Sequence, residues 1–144
     1  MPLAKNFFNQ QEQDLLLKAI ALAEEKTSGE IRLHLESFCL GNEVKAAQKV
    51  FTKLKMYQTK ERNGVLIYIA TISKKVAIIG DKGIHEKLGE IFWNEQIQLL
   101  ISQFKKDNKA QGLSDAIQNC GLMLGKYFPR QADDRNELSN DISF

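Results

Sequence analysis

Val65-Leu66-Ile67-Tyr68-Ile69-Ala70 is apolar at odd and even positions alike. A strand of that kind has to be covered on both faces. It follows the turn Arg62-Asn63-Gly64. After it come a short polar break, Ser73-Lys74-Lys75, and a second apolar run, Val76-Ala77-Ile78-Ile79-Gly80. Two such runs so close in the chain form an antiparallel hairpin, and the first of them becomes the central strand.

The flanking segments supply the covering layers. Asn9 with Glu12 three residues on makes a capping pair, and Leu16, Ile20 and Ala23 then share one face, so a helix runs from about Gln10 to Lys26. Thr27-Ser28-Gly29 stops it. Ile31, Leu33 and Leu35 alternate with Arg32, His34 and Glu36, the pattern of a strand with one polar face. Gly41-Asn42 opens a second helix with Val44, Ala47, Phe51 and Leu54 inward and Lys45, Lys49 and Lys53 outward. Asp81-Lys82-Gly83 ends the hairpin. Two further helices follow, near Trp93 to Lys106 and near Gln111 to Tyr127, and Pro129 halts the last. The order α-β-α-β-β-α-α predicts an α/β protein, a three-layer αβα sandwich on a small mixed β-sheet. At 144 residues, 43% hydrophobic and 26% charged, the chain is expected to be a single domain over residues 1–144.

Strands one and two are joined through a helix and should run parallel, while strands two and three are joined by a hairpin and run antiparallel. That topology puts Ser28-Gly29-Glu30, Arg62-Asn63-Gly64 and Gly80-Asp81-Lys82-Gly83 along one rim of the sheet. Each segment contains glycine, which tolerates irregular backbone and close approach.

Those segments carry a family resemblance. Thr27-Ser28-Gly29-Glu30-Ile31-Arg32, Arg62-Asn63-Gly64-Val65-Leu66-Ile67-Tyr68, Ile79-Gly80-Asp81-Lys82-Gly83-Ile84 and the ending Asn136-Glu137-Leu138-Ser139-Asn140-Asp141-Ile142-Ser143-Phe144, in that order, resemble the TPM domain family. The family takes its name from a thylakoid lumen protein, a photosystem repair protein and a nematode receptor modulator. The resemblance implies an αβα sandwich, binding of a divalent metal (often calcium) in some members, and a phosphatase activity that is not general. Many relatives have a signal peptide before the domain and a membrane segment after it. This sequence shows neither, and reads as a stand-alone domain.

Charge adds a local feature. The whole chain is +2, but residues 133–144 hold Asp133, Asp134, Glu137 and Asp141 against Arg135, a net of −3 that leaves +5 for the rest. With Asn136, these four acids make five carboxylate or amide candidates within nine residues. Calcium takes six to eight oxygen ligands from carboxylates, amides, carbonyls and water, so the acidic segment and the rim together suit a hard cation. The candidate metal ligands are Asp81, Asp133, Asp134, Asn136, Glu137, Asp141 and Glu30, with Arg62 a rival partner for Glu30. They would hold one or two ions of Ca²⁺, or of Mg²⁺ in its place. The acidic segment is expected to fold back on the domain and share the ions with the Asp81 rim. An EF-hand loop is only partly matched, since its required Gly and closing Glu are missing.

Other chemistries are excluded or weakened. Cys39 and Cys120 are followed six residues later by Lys45 and Lys126, where a cysteine phosphatase needs Arg. No Asp-x-Asp pair serves an aspartyl-phosphate route, and the Gly80 to Gly83 loop is too short for a P-loop. His34 and His85 have no second His or Cys at ligand spacing, which disfavours zinc. A charge of +2 argues against nucleic acid. No apolar run approaches the roughly 18 residues of a membrane span, and the first residues lack a secretory pattern. The expectation is a cytoplasmic monomer with reduced thiols and no membrane insertion. It is a metal-responsive interaction or regulatory domain with an unidentified protein partner and no catalytic residues. The alternative is a metal-dependent phosphatase acting through metal-activated water.

Overall fold

The computed structural model describes residues 2–130 and 141–144. Its sheet has three strands, β1 (Glu30–Glu36), β2 (Gly64–Ala70) and β3 (Lys75–Gly80), in the order β1-β2-β3. β1 and β2 are parallel with Leu33 opposite Ile67, and β2 and β3 are antiparallel with Ile67 opposite Ile78. Every residue of β2 is buried.

The two faces of β2 feed two cores. Val65, Ile67 and Ile69 join Ile31, Leu33, Leu35 and Ile78 beneath α1 (Gln10–Glu24), α3 (Lys82–Lys105) and α4 (Lys109–Tyr127). Leu66, Tyr68 and Ala70 join Ala77 beneath α2 (Glu43–Lys53), where Ala47, Val50, Phe51 and Met56 close the second core. The result is the three-layer sandwich on a mixed sheet that the strand patterns imply, with one helix on one face and three on the other. Among the described residues no helix is long and apolar enough to cross a membrane.

Local signals set the helix starts. Asn9 accepts from the Glu12 N–H at 2.8 Å while Glu12 accepts from the Asn9 N–H at 3.0 Å, a complete capping box for α1. Asn42 caps α2 by accepting from the Lys45 N–H. Three sequence expectations need correction. Val44 does not face inward but is 41% exposed. α1 ends at Glu24 rather than Lys26. The third helix begins at Lys82, not near Trp93, because Asp81 is its N-cap. Gly89, at φ 75° and ψ 174°, breaks that helix in the middle, which hides the first segment from a search for one continuous period.

The rim opposite the hairpin turn is closely packed. A Cβ added to Gly83 would lie 2.2 Å from the Glu61 carbonyl oxygen and 2.7 Å from that of Arg62, both rigid backbone atoms. Gly41 has no atom within 4 Å of such a Cβ. Gly83→Ala should therefore destabilise the protein by about 1–3 kcal/mol, whereas Gly41→Ala leaves stability equal or slightly raised. Urea unfolding midpoints of the two variants check the contrast.

Candidate carboxylate centre at the sheet rim

Strand register brings the three glycine-bearing segments together, because Glu30 lies opposite Gly64 and Val65 opposite Gly80. The Asp81 N–H donates to the Gly64 carbonyl at 2.8 Å, and the Gly83 N–H to the Arg62 carbonyl at 2.9 Å. Asn63 Nδ2 donates to Ser28 Oγ at 3.2 Å. Arg62 takes up a left-handed backbone at φ 53°. Its side chain then meets Asp81 side-on. Nε donates to Oδ2 at 2.6 Å and the second guanidinium nitrogen to Oδ1 at 2.8 Å, a two-point pairing that a lysine could not reproduce. Asp81 Oδ1 also accepts from the Lys82 N–H at 2.8 Å.

This geometry corrects the expected pairing of Arg62 with Glu30: the partner is Asp81. Both oxygens of Asp81 are thereby engaged in holding the start of α3 to the turn before β2. Glu30, the first residue of β1, instead lies against Glu24 in the last turn of α1. Each is 2% exposed. Glu24 Oε2 accepts from the Ile31 N–H at 2.8 Å. Burial, and then the hydrogen bond and negative charge of Glu30, push the Glu24 carboxyl up to about 9, against the weaker opposing pull of the Ile31 N–H and Arg130. Burial and the neighbouring negative charge both favour the protonated form of Glu24.

The chain passes this pair twice. After α4, Thr27 bridges to Pro129, the Ser28 N–H donates to the Phe128 carbonyl at 3.0 Å, and Arg130 donates to the Glu24 carbonyl at 3.0 Å. At 141–144 it lies along the free edge of β1. There the Leu35 N–H donates to the Ser143 carbonyl at 2.9 Å and the Ser143 N–H to that of Leu33 at 3.0 Å, a parallel bridge that leaves Asp141 at the β1 side of the sheet. Asp133, Asp134, Asn136 and Glu137 lie outside the described residues. Among the described residues no group of three or more His, Cys, Asp or Glu side chains is gathered to hold a metal.

His34 is buried rather than on a solvated face, with 6% exposure. It stacks on Tyr68 at 5.9 Å between ring centres. Nδ1 is 2.7 Å from Ser143 Oγ, and Nε2 is 3.1 Å from Glu36 Oε1, whose other oxygen accepts from the Tyr68 hydroxyl. Burial holds the His34 pKa below the usual imidazole range, despite Glu36. Nδ1 thus has a hydrogen-bonding partner in Ser143, whereas buried Nε2 lies near Glu36 without a hydrogen bond. Cys39 and Cys120 are free and buried, and burial pushes the Cys120 thiol up to about 12, which makes it a poor nucleophile.

Sequence reading missed Glu24. The usable signal was an acidic pair, Glu24-Glu25, at the C-terminal end of α1, where the helix dipole favours cations. An acid placed against that preference marks a local constraint.

A sandwich of this topology with a carboxylate-bearing, glycine-lined rim defines a small class of α/β domains. The TPM domain model matches residues 4–121, and the chain belongs to that family. It is similar to the BA42 protein of the psychrophilic bacterium Bizionia argentinensis, whose structure was solved by NMR. The identity is 44% over 95% of this chain and 94% of that one, with a TM-score of 0.87. The N-terminal domain of a P. gingivalis protein shares the fold at 16% identity, over 86% of this chain and 82% of that one, with a TM-score of 0.68. No curated protein is significantly similar to the chain.

The proton on Glu24 has a consequence for stability. Unfolded, this carboxyl titrates near its ordinary value, and folded it does so at about 9. Its favourable contribution is complete below the unfolded value and is lost as pH rises through the folded one, at a rate of up to about 1.4 kcal/mol per pH unit between them. Glu24→Gln, neutral at every pH, should flatten the decline. Urea midpoints between pH 5 and pH 9 for both proteins provide the check.

Proposed function

We propose that this domain binds a divalent cation at Glu24 and Glu30 and uses it to change the surface offered to a protein partner. One observation carries the reading: two acidic side chains buried side by side, with burial and the Glu30 charge raising the Glu24 pKa. A proton on Glu24 can be exchanged for a hard cation, and carboxylate oxygens suit Ca²⁺ or Mg²⁺. The segment 131–140, which carries Asp133, Asp134, Asn136 and Glu137, leaves the described chain beside Glu24 and rejoins it beside β1. Of the flanking described residues, Arg130 donates to the Glu24 carbonyl and Ser143 bridges the β1 edge, and Asp133, Asp134, Asn136, Glu137 and Asp141 are proposed as additional ligands. Asp81, held on both oxygens by Arg62 and the Lys82 N–H, keeps a structural role in this reading.

The arrangement favours binding over catalysis. A cleft of about 360 Å³ that includes Arg62, Tyr57 and Thr52 lies at the β3 end of the rim. β2 separates it from Glu30 on β1, a span of two strand spacings, roughly 10 Å. A phosphoester in that cleft is too far from the paired carboxylates to receive water activated there.

Calcium at a hundred times its dissociation constant should raise stability by roughly 2.7 kcal/mol, with no comparable effect of monovalent salt. Binding should release protons at neutral pH and tighten as pH rises toward 9. Glu30→Gln should remove the increment. Asp81→Asn should lower the melting temperature in chelator and keep it. Thermal unfolding in calcium against chelator, with proton release followed by calorimetry in two buffers, tests all four points. No calcium response in the native protein, or an undiminished one in Glu30→Gln, defeats the proposal. Metal-dependent release of phosphate from p-nitrophenyl phosphate that is lost in Glu30→Gln would replace it with the phosphatase reading.

A further inference from the structure

A second concavity, unrelated to the carboxylate rim, opens at the other end of the sheet between the β2–β3 turn and the last turns of α3. Its volume is about 380 Å³, within the range of small-molecule sites. The walls are apolar: Ile69 and Val76 from the hairpin, Ile101 and Phe104 from the helix. Lys74 and Lys105 stand at the mouth, both exposed, and no acidic residue lines the groove. Lys75 also borders it, but its ammonium donates to the Cys39 and Gly41 carbonyls at 3.0 and 2.7 Å on the α2 side of the sheet.

Two further observations make this more than an apolar hollow. Thr71 lines the groove and is wholly buried, yet its hydroxyl oxygen has no hydrogen-bond partner. A buried hydroxyl left unpaired is costly, and a ligand oxygen within reach of it relieves that cost. Lys74 is held in the left-handed region at φ 56° within the turn, which fixes where its side chain leaves the backbone.

We propose that this groove binds a medium-chain aliphatic carboxylate as a free monomer. The alkyl chain lies against Ile69, Val76, Ile101 and Phe104, and the carboxylate sits at the mouth between Lys74 and Lys105 with Thr71 beside it. Apolar walls with two cations and one unmet hydroxyl at one end match an amphiphile with one anionic head. A neutral apolar ligand leaves the lysines and the hydroxyl without partners, and a multiply charged ligand has nothing to do with the walls.

The test is titration of the whole protein with decanoate, followed by ¹H–¹³C methyl spectra and calorimetry. Saturable one-to-one binding is expected, with shifts concentrated at Ile69, Val76 and Ile101. Affinity should fall about fourfold for each methylene removed in the series decanoate, nonanoate, octanoate. Decanol should bind at least tenfold more weakly than decanoate, and K74E/K105E should lose about tenfold for decanoate while keeping its affinity for decanol and a cooperative unfolding transition, at a melting temperature slightly lowered by the acid in the last turn of α3. Both lysines are exposed, so the double variant folds. Absence of saturable shifts at those methyls, equal binding of decanol, or undiminished decanoate binding by the double variant overturns the proposal. Binding to anionic vesicles without binding of monomeric decanoate also overturns it, and assigns the patch to a lipid surface.

Discussion

β2 bonds to a strand on each side and buries every side chain it has, three into one core and three into the other, with Gly64 at its start. A segment in that position has no solvated face to compensate an error of register. A slip of one residue would drive Tyr68 under α1, α3 and α4 and would pull Ile67 out from beneath them. The crossover through α2 and the short hairpin therefore both answer to it. The same register decides where β1 starts and β3 ends, and thus which loops meet at the rim. The chemistry of that rim is a by-product of burying one six-residue apolar run.

Its two ends are treated differently. At the β3 end the acid has found a guanidinium, and the pair fastens the start of α3 to the turn before β2. At the β1 end a buried acid lies against another acid, and burial with that neighbour raises the Glu24 pKa. The first arrangement is complete as it stands. The second depends on pH, because the raised Glu24 pKa ties its charge to protonation.

The strands, their directions and the rim were legible in the sequence because parity of apolar residues, a two-face pattern and chain connectivity settle them without knowledge of any side-chain contact. Four helices were legible for the same reason. The start of α3 was not. Gly89 splits it into two stretches, and the first turn is held by Asp81, which reads equally well as the end of a strand. The pairings at the rim were not legible either. Whether Arg62 turns to Glu30 or to Asp81 depends on a left-handed residue in a turn, and nothing in residue order reveals that choice. His34 misled for a further reason. It occupies the polar parity of β1, but the edge beyond it is covered by Ser143, which arrives from more than a hundred residues away.

That last contact has a meaning beyond His34. β1 is an edge strand with an apolar face of Ile31, Leu33 and Leu35, and an uncovered edge of this sort invites a second molecule to pair with it. Ser143 takes the Leu33 carbonyl and the Leu35 N–H for itself. Ile142 packs on the adjoining core. Residues 142 and 143 thus cover part of the β1 edge and satisfy backbone groups that an open edge would expose.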